Sequence, residues 1–101
     1  MYEKRQHPRT PVTLALVVIG PDGARTEGRC RDMSLGGMFL ETTATFPFGT
    51  AITLALTLPN LGATEIPAVV RWTEQGGFGV QFGLLGARQT HELSSLITPS
   101  R

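Results

Sequence analysis

This chain of 101 residues contains only one cysteine, one tryptophan and one tyrosine. The single thiol, Cys30, cannot form an internal disulfide, which excludes the small secreted folds held together by disulfides and is compatible with a reducing cytosol. The longest apolar run, 14–19, is far shorter than the roughly 20 residues that a helix needs to cross a bilayer. The first residues are charged and include a proline, unlike a signal peptide. We therefore expect a cytoplasmic protein with no membrane insertion.

Charge is also scarce. Charged residues make up 17% of the chain and the net charge is +1, whereas a general DNA or RNA binder needs many phosphate contacts. The basic segment 25–31 has no aromatic residue on which bases could stack. One cysteine and two distant histidines offer no metal-ligand spacing, and Ser34 has no neighbouring histidine and acid to activate it. We expect no nucleic-acid partner, no metal, no cofactor and no enzymatic activity.

Glycine and proline are abundant by contrast, with 12 and 7 residues, and turn-forming clusters separate six segments in which apolar and polar residues alternate. Such alternation indicates half-buried strands. The fifth strand then places Trp72 on its inward face with Ile66, Ala68 and Val70, and we interpret Trp72 and the phenylalanines as core packing rather than as a base-stacking platform. Apolar residues at helical spacing predict a short C-terminal helix. The predicted strands are 12–19, 25–31, 38–42, 52–58, 66–72 and 78–82, and the predicted helix is 87–97.

Two polar segments do not fit the strand pattern. The first, 4–9, contains Arg5 and Arg9, and residues 1–9 carry three cations and one carboxylate, a net +2. The second, 32–37, offers the side chains of Asp32 and Ser34 before a pair of glycines, where backbone can approach a ligand closely. Because guanidinium groups match both phosphate and the O6/N7 edge of guanine, the two segments suggest an anionic, guanine-bearing ligand. The alternatives are a solvated basic tail and a serine or aspartate that caps its own backbone.

Together, the R-x-x-x-R pattern of residues 5–9 and the D-x-S-x-x-G pattern of residues 32–37 resemble the PilZ domain family. The resemblance extends through Val70-Arg71-Trp72 and the segment 77–82 over nearly the whole chain. It implies an all-β fold, a six-stranded antiparallel barrel with a short C-terminal helix, in agreement with the strand pattern. It also implies one domain over residues 1–101, with a flexible arm at 1–11, the barrel at 12–83 and the helix at 86–97.

Many PilZ domains are bacterial receptors for cyclic di-GMP, and the resemblance implies roles for individual residues. Arg5 and Arg9 would clamp guanine edges and phosphates, Asp32 and Ser34 would hydrogen-bond the other guanine, and Gly37 would keep the barrel wall open beneath it. Lys4, Gly36 and Gly79 are weaker candidates.

The expected function is a second-messenger receptor whose arm becomes ordered over the barrel when cyclic di-GMP binds, which changes a surface that a protein partner reads. That partner would act in motility, secretion or polysaccharide regulation. The alternative is a PilZ-fold adaptor in motility or pilus function that binds no nucleotide. The sequence leaves the pathway, the ligand stoichiometry and a homodimeric state open.

Overall fold

The computed structural model describes residues 10–58 and 60–97. Within these ranges the elements are β1 (Thr10–Ile19), β2 (Arg25–Met33), β3 (Gly37–Thr42), β4 (Ala51–Leu58), β5 (Gly62–Glu74), β6 (Gly77–Phe82) and α1 (Ala87–Ile97). The strands close into one antiparallel barrel in the order β1-β2-β3-β6-β5-β4, with β4 pairing back to β1, and α1 follows the last strand. This confirms the predicted fold class.

The alternation of apolar side chains builds the barrel core. In β4 the inward residues Ile52, Leu54, Leu56 and Leu58 are buried, while the residues between them face outward and are half-buried or exposed. Strand β6 supplies Phe78, Val80 and Phe82 to the same core. Each fully buried side chain of this size contributes about 1.5–3 kcal/mol to folding, so the alternating strands carry most of the stability.

Tight turns connect neighbouring strands. Between β1 and β2, Gly23 has a φ of 87° and donates its N–H to the carbonyl of Gly20 at 2.9 Å, while the Asp22 carboxylate accepts from the N–H of Ala24 at 3.0 Å. Between β4 and β5, Asn60 takes the left-handed conformation with φ 68°, which asparagine tolerates better than most residues. The turn-forming residues therefore bend the chain at both positions, as the sequence predicts.

Helix α1 has the bounds 87–97 that the helical spacing predicts, and it begins one residue after the range 86–97 given with the resemblance. Its start is capped because the Gln89 side chain accepts a hydrogen bond from the N–H of Gly86 at 2.9 Å, one half of a capping box. Leu93 is buried against the barrel core and Leu96 packs beside it. Across residues 10–58 and 60–97, no helix is long and apolar enough to span a membrane.

Register shifts in three strands change which residues face outward. In β1 the pairing with β2 shifts between Pro11 and Leu14. In β2 the pairing with β3 shifts between Cys30 and Asp32, and in β5 the pairing with β6 shifts between Val70 and Trp72. An extra residue in a strand moves every later side chain to the opposite face. Trp72 therefore pairs with Gly79 on the outer face of the barrel wall, and its predicted inward position is wrong.

The strands are also longer than the alternation predicts. Strand β1 begins at Thr10, so residues 10–11, predicted as part of the arm, pair with β2. Strand β2 extends through Asp32 and Met33, which shortens the predicted turn to residues 34–36. Backbone pairing continues beyond the alternating positions because a ladder needs hydrogen-bonding groups rather than apolar side chains.

Candidate functional site

The turn between β2 and β3 is held rigidly against β6. The N–H of Ser34 donates to the carbonyl of Gly37 at 2.8 Å, and the N–H of Gly36 donates to Ser34 Oγ at 3.2 Å. The carbonyl of Gly36 accepts from the N–H of Phe82 at 2.8 Å. The Ser34 hydroxyl thus caps the backbone of its own turn, which is one of the alternatives considered from the sequence.

Gly37 has a structural reason to be glycine. A Cβ built at this position would lie 1.9 Å from the carbonyl oxygen of Val80 on the neighbouring strand. A side chain here therefore requires the β3–β6 ladder to shift. This close approach brings the turn onto β6, whatever role Gly37 has toward a ligand.

Asp32 lies on the outer face of β2 next to a cation. Its carboxylate is 3.9 Å from the Nε of Arg31, the extra residue of the β2 bulge. Arg31 also lies 3.8 Å from carboxylate oxygens of both Glu41 and Glu74, and its guanidinium covers the ring of Phe39 at 4.1 Å. Arg31 is therefore a neighbour of the candidate site that sequence reasoning missed, because strand alternation gives no sign of a bulge.

A row of paired residues runs across the outer face beside Asp32. Pro11 pairs with Asp32, Asp32 with Phe39, Phe39 with Gly79, and Gly79 with Trp72. The absent side chain of Gly79 makes room for the Trp72 indole, which lies 2.0 Å from where a Cβ would be. Aromatic rings often cover strand glycines in this way.

Phe39 is 3% exposed, so its interpretation as a packing residue is right, although it lies in the outer row. Trp72 also lies in the outer row and not in the core. Phe48 is 68% exposed, so the interpretation as core packing is wrong for this residue. The sequence pattern does not reveal this row, because the register shifts in β1, β2 and β5 leave no mark in the alternation. Of the weaker candidates, Gly36 belongs to the turn and Gly79 to this row.

The predicted arm residues Lys4, Arg5 and Arg9 lie outside the described residues. The described chain starts at Thr10, which pairs with Met33, one residue after Asp32. The backbone that carries the arm therefore joins the barrel at the Asp32 end of β2. In residues 10–58 and 60–97, no group of three or more histidine, cysteine, aspartate or glutamate side chains could hold a metal ion.

Comparisons with solved structures give the same fold. The PilZ domain of CeSA from a cellulose-synthesizing bacterium is 20% identical, with a TM-score of 0.71, and the match covers 89% of this chain and 94% of that one. The PilZ domain of YcgR from Escherichia coli, solved with c-di-GMP, is 14% identical with a TM-score of 0.72, covering 94% and 89%. The Bacillus subtilis inhibitor of motility MotI is 21% identical with a TM-score of 0.69, covering 95% of this chain and 50% of that one.

No curated protein sequence matches the chain. The family model of the PilZ domain, however, matches residues 3–98. Since this match spans nearly the entire sequence and the barrel has the fold of solved PilZ domains, the chain belongs to the PilZ domain family, whose domains are receptors or adaptors rather than enzymes.

Proposed function

We propose that this chain is a bacterial receptor for cyclic di-GMP. The observation that carries the proposal is the position of Asp32 and of the turn at Ser34, on the outer face of the barrel beside the first residue of β1. Arg9 directly precedes that residue, and Arg5 is at most about 18 Å of extended chain away from it. Both halves of the motif can therefore reach one ligand.

The chemistry of each residue suits a guanine dinucleotide. The Asp32 carboxylate accepts hydrogen bonds, which complements the ring and exocyclic N–H groups of guanine. Arg5 and Arg9 donate in a planar fork, which complements phosphate oxygens and the O6/N7 edge. Membership of the PilZ family and the likeness to the YcgR domain, which was solved with c-di-GMP, support this assignment.

The arginines alone do not supply enough binding energy. Two bidentate contacts contribute about 2–6 kcal/mol, whereas micromolar affinity requires about 8 kcal/mol. Contacts from Asp32, from Ser34 and from the stacking of a guanidinium group on a guanine base must provide the difference. A turn that is already locked onto β6 by hydrogen bonds pays little entropy when it binds, which favours this division of roles.

The same arrangement suggests how ligand binding is transmitted to a protein partner. A dinucleotide held between the fixed turn and the arm orders the arm over the outer face, and a protein partner in the cytoplasm then reads the changed surface. Motility, secretion and polysaccharide synthesis are the candidate outputs. The likeness to the inhibitor of motility MotI and to the PilZ domain of CeSA supports this range.

Isothermal titration calorimetry with cyclic di-GMP tests the proposal. The wild-type chain should bind, and Arg5→Ala or Arg9→Ala should weaken binding at least about tenfold, which corresponds to losing roughly 1.4 kcal/mol from one bidentate contact. The melting temperature of each unliganded variant should stay nearly unchanged. Arg88→Ala, which removes an exposed arginine on α1, is the matched control and should bind as the wild type does.

A folded wild-type sample that gives no heat at high protein concentration would contradict the receptor assignment and favour the adaptor without a nucleotide. A large drop in melting temperature for Arg5→Ala or Arg9→Ala would instead identify the pair as structural.

A further inference from the structure

The large apolar side chains exposed to solvent are gathered on one side of the barrel. Within residues 10–58 and 60–97 they are Leu35 at 47% exposure, Phe48 at 68% and Leu84 at 95%. Leu35 and Leu84 line an open groove of about 550 Å³ together with Gln81 of β6. Phe48 is linked to Gln81 through the side chain of Arg71. We call the surface formed by Leu35, Phe48, Arg71, Gln81 and Leu84 the Gln81 face.

Arg71 joins the two apolar parts of this face. Its Nε donates to the Gln81 side-chain oxygen at 2.8 Å, and its guanidinium carbon lies 5.6 Å from the centre of the Phe48 ring. Gln81 thus has Leu35 and Leu84 on one side and the Arg71–Phe48 pair on the other. Aromatic residues and arginine are enriched at protein–protein interfaces, and exposed leucines beside them add apolar area that a partner can bury.

Among residues 10–58 and 60–97, the charge of Arg71 has no carboxylate in contact with it. No carboxylate of the described residues lies within 4.0 Å of its guanidinium, in contrast to Arg29 and Arg31, which both contact Glu41. The groove beside Gln81 is lined by uncharged residues. The Gln81 face is therefore apolar with one positive charge, which complements a segment that carries a carboxylate between apolar side chains.

The Gln81 face is also continuous with the candidate ligand turn. Leu35 lies between Ser34 and Gly36 in that turn, and Gly37 pairs directly with Gln81. A ligand that contacts the turn therefore contacts residues next to this face.

From these observations we propose that the Gln81 face is the docking surface for an acidic, apolar segment of a protein partner. The inference extends the proposed function by naming the surface that a partner reads, and its dependence on ligand rests on that function. Arg71 pairs with the carboxylate of the segment, Phe48 packs beside that pair, and Leu35 and Leu84 receive its apolar side chains.

Selection of phage-displayed random peptides on the purified chain of 101 residues tests this inference. Selected peptides should contain Asp or Glu within a few positions of Leu, Ile or Phe. Synthetic versions should bind Arg71→Glu and Leu84→Ser at least about tenfold more weakly than wild type, as loss of a hot-spot contact requires. Selection on Arg71→Glu should instead recover peptides with Lys or Arg at the acidic position. Arg25→Glu makes the same charge change at the start of β2 and should leave peptide binding unchanged.

Calorimetry with cyclic di-GMP on the same variants separates this inference from the proposed function. Arg71→Glu and Leu84→Ser should bind the dinucleotide as wild type does, and circular dichroism should show them folded. Recovery of no peptide, of peptides without acidic residues, or of peptides that bind Arg71→Glu equally well would overturn the docking surface even if cyclic di-GMP binds. Loss of dinucleotide affinity in these variants would assign the face to the ligand site instead. A dimer in sedimentation velocity that these variants dissociate would assign it to self-association.

Discussion

At the scale of single residues, two explanations exist for the absence of a side chain at Gly37: space for a ligand, or the close approach of the neighbouring barrel strand. The Val80 carbonyl that would meet a Cβ belongs to the backbone and cannot rotate away as a side chain could. We expect Gly37→Ala to destabilise the unliganded protein by about 1–3 kcal/mol, the usual cost of an overpacked site. The measurement is thermal unfolding followed by circular dichroism, where each kcal/mol lowers the melting temperature by roughly 4–8 °C in a domain of this size.

Gly86→Ala is the matched control, because the nearest heavy atom to a Cβ there is 3.7 Å away. Its cost should stay within about 1 kcal/mol, as expected for a helix N-cap position. An unchanged melting temperature in Gly37→Ala would mean that the ladder adjusts freely and would leave ligand contact as the explanation for this glycine.

Glu92 is a second residue whose environment predicts an effect. Its side chain on α1 is 6% exposed, and one carboxylate oxygen accepts from Asn60 Nδ2 at 3.3 Å. The other carboxylate oxygen has no hydrogen-bond partner within residues 10–58 and 60–97. A buried charge without a cation costs free energy. Glu92→Gln removes the charge, keeps an oxygen for Asn60, and should raise stability by about 1 kcal/mol in chemical denaturation.

Glu65→Gln, at an exposed position of β5, makes the same chemical change in solvent and should alter stability by less than about 0.5 kcal/mol. A clear loss of stability in Glu92→Gln would show that the second oxygen has a stabilising contact that the hydrogen-bond geometry does not reveal.

At the scale of elements, alternation predicts a strand wherever one face is buried and the other is solvated. Strand β4 fits this rule at every position, and its predicted range differs from the observed one by a single residue. The rule fails at Arg31 and Arg71 because a bulge is decided by pairing with a neighbouring strand and not by the polarity of the bulged residue. The outer row of Asp32, Phe39 and Trp72 could therefore not be found from the sequence.

The sequence predicts the turn of the candidate site better than it predicts the ends of the strands. Ser34 and the two following glycines mark a bend through their local chemistry, and the structure places a bend there. The locking of this bend onto β6 through Phe82 was not visible, because that contact joins residues far apart in the chain. The assignment of ligand roles rested on the motif alone and stays a prediction.

At the scale of the whole molecule, the closed barrel stabilises itself, and the candidate ligand site lies at its surface. The core consists of inward side chains from the strands and Leu93 of α1, whereas Asp32 lies outside it on the wall. Ligand binding should consequently add stability to a barrel that is already folded rather than fold it. This follows from linkage, since a ligand that binds only the native state lowers its free energy.

Cyclic di-GMP should therefore raise the melting temperature of the wild-type chain. At a free ligand concentration of one hundred times Kd the added stability is about 2.7 kcal/mol, which corresponds to roughly 10–20 °C for a domain of this size. Asp32→Ala should remove most of this shift while leaving the unliganded chain folded, because Asp32 lies outside the apolar core. Glu65→Ala removes an exposed carboxylate near the start of β5, where Glu65 pairs with Ala55 of β4 and not with the outer row, and should keep the full shift. If Asp32→Ala keeps the full shift, the dinucleotide binds without this carboxylate, and the turn contributes its backbone alone.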